Sequence, residues 1–212
     1  MAKKKVQIKR NAAQKRKVKY AGAGASCETP AGNGSCRALF ALILLFTLMA
    51  FAISTGIIAG NAIYTMLVIA AAGFLLFEAY IHRSEPDRIM KAVYIGIFLM
   101  AFDFVFQNAG WMLGLWQTFD AAIVIGVVPI EIMLVCLLGG AAWALYLPKR
   151  YDRIHTLMDV LTFGVYGAFG EFMLIGAGLM AYYQWWNSWL AFASYALVWV
   201  LLHYMRYKIV KV

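Results

Sequence analysis

The sequence predicts an all-α polytopic membrane protein with six transmembrane helices and a basic N-terminal tail. The composition indicates a membrane protein, because 64% of the residues are hydrophobic and only 14% are charged, against about half and a quarter in soluble domains. Long apolar runs indicate the spans, since an uncharged run of about 20 residues crosses a bilayer as a helix. The six predicted spans are 38–60, 62–81, 92–114, 121–147, 156–182 and 187–205.

The basic residues support the count of six and predict the orientation. Ten of the 19 Lys and Arg residues lie in residues 1–37, and the other nine fall in three groups: 83–91, 149–153 and 206–211. With six spans, all of these groups lie on one side of the membrane. Basic residues near span ends are retained in the cytoplasm. We therefore expect a multi-pass protein of the cell membrane with both termini cytoplasmic.

The chain divides into a tail, residues 1–37, and a transmembrane domain, residues 38–212. The tail is basic and then rich in Gly and other small polar residues, a composition that cannot bury a core and is expected to be disordered. Its charge favours contact with anionic membrane lipids. It has neither the interleaved aromatic residues nor a folded motif typical of nucleic-acid binding, so we expect no nucleic-acid partner.

Three carboxylates interrupt the apolar runs. Asp103 is about twelve residues from the cytoplasmic end of its predicted span, and Glu131 is about eleven residues from the outer end of the next. Glu171 lies inside the fifth span. Charges at this depth are costly, and burial and mutual repulsion both favour the protonated carboxyl. We therefore expect a buried cluster in which at least one acid keeps its proton at neutral pH.

Polar and aromatic residues near the acids predict the lining of a site. Pro129 lies inside the predicted fourth span, where it should kink the helix and free the carbonyl of Ile125. Glu78, Asp159 and His203 lie near cytoplasmic span ends, where we expect solvent or headgroup contact. No cofactor or metal motif is recognisable, so neither is expected. The predicted substrate-binding residues are Phe104, Gln107, Asn108, Trp111 and Pro129.

Over about residues 102–147, the order of these elements resembles the lycopene cyclase domain of heterodimeric and fungal-type carotenoid cyclases. The shared elements are Asp103, Gly110-Trp111 and the Val-Pro-Ile-Glu of 128–131. The family motif usually has two consecutive acids after the Pro-x pair, whereas Ile132 follows Glu131 here. The resemblance implies that Asp103 and Glu131 form an acid/base pair, adjusted by Glu171, with aromatic faces such as Phe104, Phe106 and Trp111 stabilising a carbocation.

The leading functional hypothesis is an intramembrane enzyme acting on an isoprenoid or carotenoid-like lipid by acid/base, non-redox chemistry, as an isomerase or hydratase. Its partners would be membrane lipids and a polyprenoid lipid substrate. One alternative is a structural or assembly subunit that binds other membrane subunits through the basic tail. A second is a proton- or cation-coupled carrier that uses the same acids.

Overall fold

The computed structural model describes residues 44, 47–48, 51–53 and 55–212. The predicted tail, residues 1–37, and most of the first predicted span, 38–60, lie outside these residues. Among the described residues of that span, 44, 47–48 and 51–53 are helical.

Five helices follow in the described chain, and four of them are long and apolar enough to cross a membrane, the last of these together with the π-helix that continues it (Ser188–Val210). The fifth, α3, is a shorter apolar helix of 17 residues. A π-helix, Met205–Val210, continues the last helix. The helices are α1 (Ala62–Ile81), α2 (Pro86–Met112), α3 (Ile130–Tyr146), α4 (Arg153–Gly176) and α5 (Ser188–Tyr204).

Four short strands lie at the end of the helices opposite the basic residues. Strand β1 (Trp116–Thr118) pairs antiparallel with β4 (Met180–Tyr182), with Trp116 opposite Tyr182. Strands β2 (Val124–Ile125) and β3 (Val128–Pro129) form a hairpin. The Tyr64 hydroxyl at the start of α1 donates to the carbonyls of Phe119 and Leu179, at 3.2 and 3.1 Å. These two bonds connect α1 to the segments that follow β1 and precede β4.

The hairpin shows that the predicted span 121–147 and the predicted kink at Pro129 are wrong. The helix begins only at Ile130, and Pro129 precedes it with extended backbone (φ −56°, ψ 132°). The residues before it are rich in β-branched side chains, which favour strands, and Gly126 adopts the positive φ of 66° that the turn requires. Pro129 therefore ends the hairpin and leaves the helical hydrogen bonds intact.

The helices pack in three main contacts: α1 and α2 each pack on α3, and α4 packs on α5. Gly96 and Gly140 bring the backbones of α2 and α3 close together, because a Cβ on Gly140 would lie 3.1 Å from the Gly96 Cα. The main buried cluster joins α2, α3 and α5. It contains Ala92, Ile95, Leu99, Trp143, Ala144, Leu145, Leu147 and Leu202.

Two buried arginines cap the end of α3. Arg206 donates from Nε to the Ala144 carbonyl (2.8 Å) and from Nη2 to the Leu147 carbonyl (2.9 Å). Arg88 donates from Nη2 to the carbonyls of Leu145 and Leu147, at 2.8 and 2.9 Å. The last carbonyls of a helix lack helical partners and carry partial negative charge. Both guanidinium groups therefore stabilise this end, at which Pro148 prevents further helix.

Candidate functional site

Asp103 and Glu171, two of the three predicted acids, lie in one half-buried polar cluster formed by α2, α3, α4 and α5. Asp103 is roughly 14 Å along α2 from its last residue. Its carboxyl contacts the side chains of Gln107 and Cys136, and it is within electrostatic reach of Glu171. Of the three predicted acids, these are the two that interact electrostatically across separate helices.

Two phenols hold the Glu171 carboxylate. The Tyr182 hydroxyl donates to Glu171 Oε2 in a short hydrogen bond, and the Tyr195 hydroxyl donates to Oε1 at 3.0 Å. Burial and the neighbouring Glu171 carboxylate raise the pKa of Tyr182, so this phenol remains a donor at neutral pH. Gly167 makes room for Tyr195, because a Cβ there would overlap the tyrosine ring.

Asp103 differs from Glu171 in its hydrogen bonds. Its Oδ2 is buried and has no hydrogen-bond partner among the described residues. The Tyr195 hydroxyl, which is bonded to Glu171, also lies within electrostatic reach of Asp103 and Cys136. The Glu171 carboxylate thus accepts hydrogen bonds from two donors, whereas the Asp103 carboxyl has an oxygen available for a further contact.

Glu131 lies elsewhere, and the predicted depth for it is wrong. It is the second residue of α3, since the preceding residues form the hairpin, and it therefore lies near the outer end of that helix. It lies within electrostatic reach of Tyr64 of α1, and its Oε2 has no partner among the described residues. Glu131 and Cys136 are five positions apart, or roughly 140° around α3. They consequently face different neighbours, Cys136 facing Asp103.

The predicted lining residues have mostly local partners. Gln107 Oε1 accepts from Trp116 Nε1 at 2.8 Å, and Asn108 Nδ2 donates to the carbonyl of Phe104 at 2.7 Å. Trp111 is 47% exposed on the outer surface of α2. A cavity of about 10 Å³ separates Gln107, Trp111 and Trp116, which is room for about one water.

Aromatic rings extend from the acid cluster towards the strands. Phe106, one turn after Asp103 on α2, lies 5.2 Å from Trp116 between ring centroids, and Trp116 lies 4.5 Å from Trp186. Trp186 and Tyr182 therefore turn inward, although their neighbourhood in the sequence is typical of an interfacial aromatic belt. Trp189, which is 82% exposed, keeps the orientation expected of that belt.

Polar side chains at the basic end of the helices are buried, so the expected solvent contact of Asp159, His203 and Glu78 is wrong. These side chains are 7%, 3% and 3% exposed, respectively. Asp159 Oδ2 accepts from Trp143 Nε1 and pairs with His203 Nε2, both at 2.8 Å. A buried carboxylate needs such donors, and they come from helices distant in sequence.

Sequence reasoning missed Tyr182, Tyr195 and Cys136 as members of the acid cluster. Tyr195 lies in a helix whose residues are nearly all apolar or aromatic, so no local pattern distinguishes it. Tyr182 lies in the short segment MAY, which forms β4, and this segment continues an apolar run that gives no signal of a strand. Among the residues that the structure describes, no group of three or more His, Cys, Asp or Glu side chains is arranged to hold a metal.

Comparisons with known proteins do not supply a relative: no family model, no curated protein and no solved structure matches this chain. The functional argument therefore depends on the chemistry of the acid cluster itself.

Proposed function

We propose that the protein is an intramembrane enzyme that acts on an isoprenoid or carotenoid-like lipid by acid/base, non-redox chemistry. The observation that carries the proposal is the asymmetry of two neighbouring carboxyls. Asp103 has an oxygen without a partner, and Glu171 is held by Tyr182 and Tyr195. Paired acids in different environments take different roles in catalysis.

In this proposal Asp103 is the acid and Glu171 is the base. Asp103 Oδ2 transfers its proton to a terminal carbon of a carbon–carbon double bond, so a C–H bond forms and the adjacent carbon becomes a carbocation. Glu171 then accepts a proton from a neighbouring carbon, and that C–H electron pair forms the new double bond. The substrate is isomerised without net oxidation. Tyr195, bonded to Glu171 and near Asp103, provides a route for returning the proton.

The aromatic residues of the cluster suit a passing cation. A ring face attracts positive charge by about 0.5–2 kcal/mol, and Phe106 lies one turn from Asp103 on the same helix. The cavity of about 10 Å³ is too small for a polyene end. A substrate would therefore have to displace Trp111, which forms one wall and is already 47% exposed. The resemblance to lycopene cyclases supports a lipid-soluble polyene as this substrate.

The test is lipid and pigment profiling of cells that synthesise acyclic carotenoids, with and without the gene. We expect a new isomeric product with the native protein and a loss of at least about 100-fold in Asp103→Asn and Glu171→Gln. Glu131→Gln is the matched control, because it neutralises an acid outside the cluster and should retain the activity. Membrane levels of each variant are measured by fluorescence-detected size exclusion.

Two results would replace the proposal with its alternatives. An unchanged lipid profile, combined with a pH-dependent flux into proteoliposomes that Asp103→Asn abolishes, would establish a carrier. If both acid variants keep the cellular phenotype and deletion of residues 1–37 removes it, the protein is an assembly subunit.

A further inference from the structure

A cleft of about 350 Å³ opens at the basic end, where the start of α2 meets the segments after α3 and after the π-helix. We call it the basic cleft. It is lined by four cationic side chains and by the acidic side chains of Glu85 and Asp87. The cations are Arg88, Lys91, Lys149 and Lys211. The cleft lies roughly 22 Å along α2 from Asp103, so it is separate from the acid cluster.

The ion pairs of the basic cleft leave positive charge unbalanced. Lys149 Nζ lies 2.6 Å from Glu85 Oε2, and this hydrogen bond lowers the pKa of Glu85, which is therefore anionic at neutral pH. Among the described residues, Lys91 and Lys211 form no ion pair. Glu85 Oε2 also lies 3.7 Å from Arg88 Nη1, so Glu85 is shared by two cations. Asp87 is thus the one acidic side chain of the lining left to oppose Lys91 and Lys211.

Arg88 gives a second, independent indication of a ligand. It is 9% exposed, and its Nη1 and Nη2 are engaged by His82 and by the carbonyls at the end of α3. Its Nε is buried and has no hydrogen-bond partner among the described residues. Burial and Arg88 lower the pKa of His82, so His82 is a neutral acceptor. Arg88, which lines the cleft, therefore carries a buried donor that has no partner.

The start of α2 also favours an anion in the basic cleft. Glu85 occupies the N-cap position, but its side chain does not cap the helix, so the main-chain N–H of Asp87 has no side-chain acceptor. Pro86 has no N–H, and the N–H groups of Arg88 and Ile89 donate to the Glu85 carbonyl, so the preference at this helix start comes from the Asp87 N–H and the helix dipole. A helix start attracts anions, phosphate above all. Lysines approach phosphate as point charges, and arginine donates to its oxygens.

We propose that the basic cleft binds a phosphate-bearing group, contacted by Lys91 and Lys211, with the charge of Arg88 adding to the attraction. Two sources have this chemistry: the headgroup of an anionic phospholipid and a soluble phosphate or diphosphate. The cleft lies at the end of four potential membrane spans, where a headgroup can reach it without leaving the lipid layer. Binding there does not require the acid/base chemistry proposed for Asp103 and Glu171.

The experiment places the full chain in nanodiscs. One arm uses phosphatidylcholine alone or mixed with phosphatidylglycerol, and native mass spectrometry counts the acidic lipids retained after ejection. The other arm titrates inorganic pyrophosphate into phosphatidylcholine nanodiscs by calorimetry. We expect Lys91→Gln/Lys211→Gln to weaken binding about tenfold. The matched control, Arg150→Gln/Lys208→Gln, removes two exposed charges from the same end and should leave binding unchanged.

A variant that is expected to tighten binding distinguishes a direct effect on the ligand from a general loss of structure. Asp87→Asn removes an opposing charge and should tighten binding about threefold, which loss of structure cannot do. Retention of phosphatidylglycerol without pyrophosphate binding assigns a lipid headgroup, and pyrophosphate binding assigns a soluble ligand. The proposal is overturned if the native protein binds neither probe. It is also overturned if the cleft and control variants lose binding equally.

Discussion

The contact between α2 and α3 predicts opposite effects for two glycine-to-alanine substitutions. A methyl group on Gly96 would overlap the Leu137 carbonyl oxygen and lie 3.1 Å from the Ala141 main-chain nitrogen. Both atoms belong to a helix backbone, so neither can rotate away and the helices must separate. Gly139 is the matched control on α3, because a Cβ there meets no atom within 4 Å.

The expected magnitudes follow from two opposing effects. Alanine in place of glycine inside a helix stabilises it by about 0.5–1 kcal/mol at either position. At Gly96 the added methyl overpacks a close contact, which costs about 1–3 kcal/mol, and contact with backbone favours the upper part of that range. Gly139→Ala should therefore be slightly stabilising. Gly96→Ala should unfold more easily than Gly139→Ala by about 2–3 kcal/mol.

Thermal unfolding in detergent, followed by tryptophan fluorescence, measures this difference. For a chain of 212 residues, 1 kcal/mol shifts Tm by about 2–4 °C, so we expect the two variants to differ by about 4–12 °C. Equal midpoints, or a higher midpoint for Gly96→Ala, would show that the backbones of α2 and α3 are not in this close contact.

Two further variants test the caps and the hairpin. Arg206→Met removes two charged donors from carbonyls at the end of α3. It should lower the free energy of unfolding by about 2–4 kcal/mol. The control is Lys208→Met at an exposed position, which should change the free energy of unfolding by less than about 0.5 kcal/mol. Equal thermal midpoints for these two would contradict the capping role. Gly126→Ala forces a side chain onto a φ of 66° and should destabilise the hairpin by about 1–2 kcal/mol. We expect this as faster proteolysis between β2 and β3. Cleavage at the native rate would count against the strained turn.

Hydrophobic patterning predicted the helices well where an apolar run has polar boundaries. The run 62–81 matches α1 residue for residue, since a Gly-Asn pair precedes it and His82-Arg83 follows it. The same method failed before α3, because hydropathy does not distinguish apolar strands from apolar helices. The run IVIGVVP combines β-branched residues, a glycine and a proline, which together favour a hairpin. That error placed Glu131 at mid-membrane depth, and so wrongly in the acid cluster.

Polar partners between helices could not be predicted from one sequence. Asp103 was singled out because a charge in an apolar run is costly, and this reasoning applies to any buried acid. Its neighbours depend on helix rotation and on which helices touch, neither of which is encoded locally. Asp159 and His203, 44 positions apart, illustrate the same limit: the sequence predicts a solvated helix end for each, and in the structure the two side chains are buried against each other.

The two arginine caps on α3 have a consequence for biogenesis. In lipid, a helix end with unsatisfied carbonyls costs several kcal/mol, and the donor to the Ala144 carbonyl comes from Arg206. Translation reaches that residue only after all five helices have been synthesised. The pair of helices α2 and α3 must therefore leave the translocon with only the cap from Arg88, before the cap from Arg206 exists. Insertion of the last helix should thus be the step that completes the bundle, and chains arrested before residue 206 should be preferred substrates for membrane proteases.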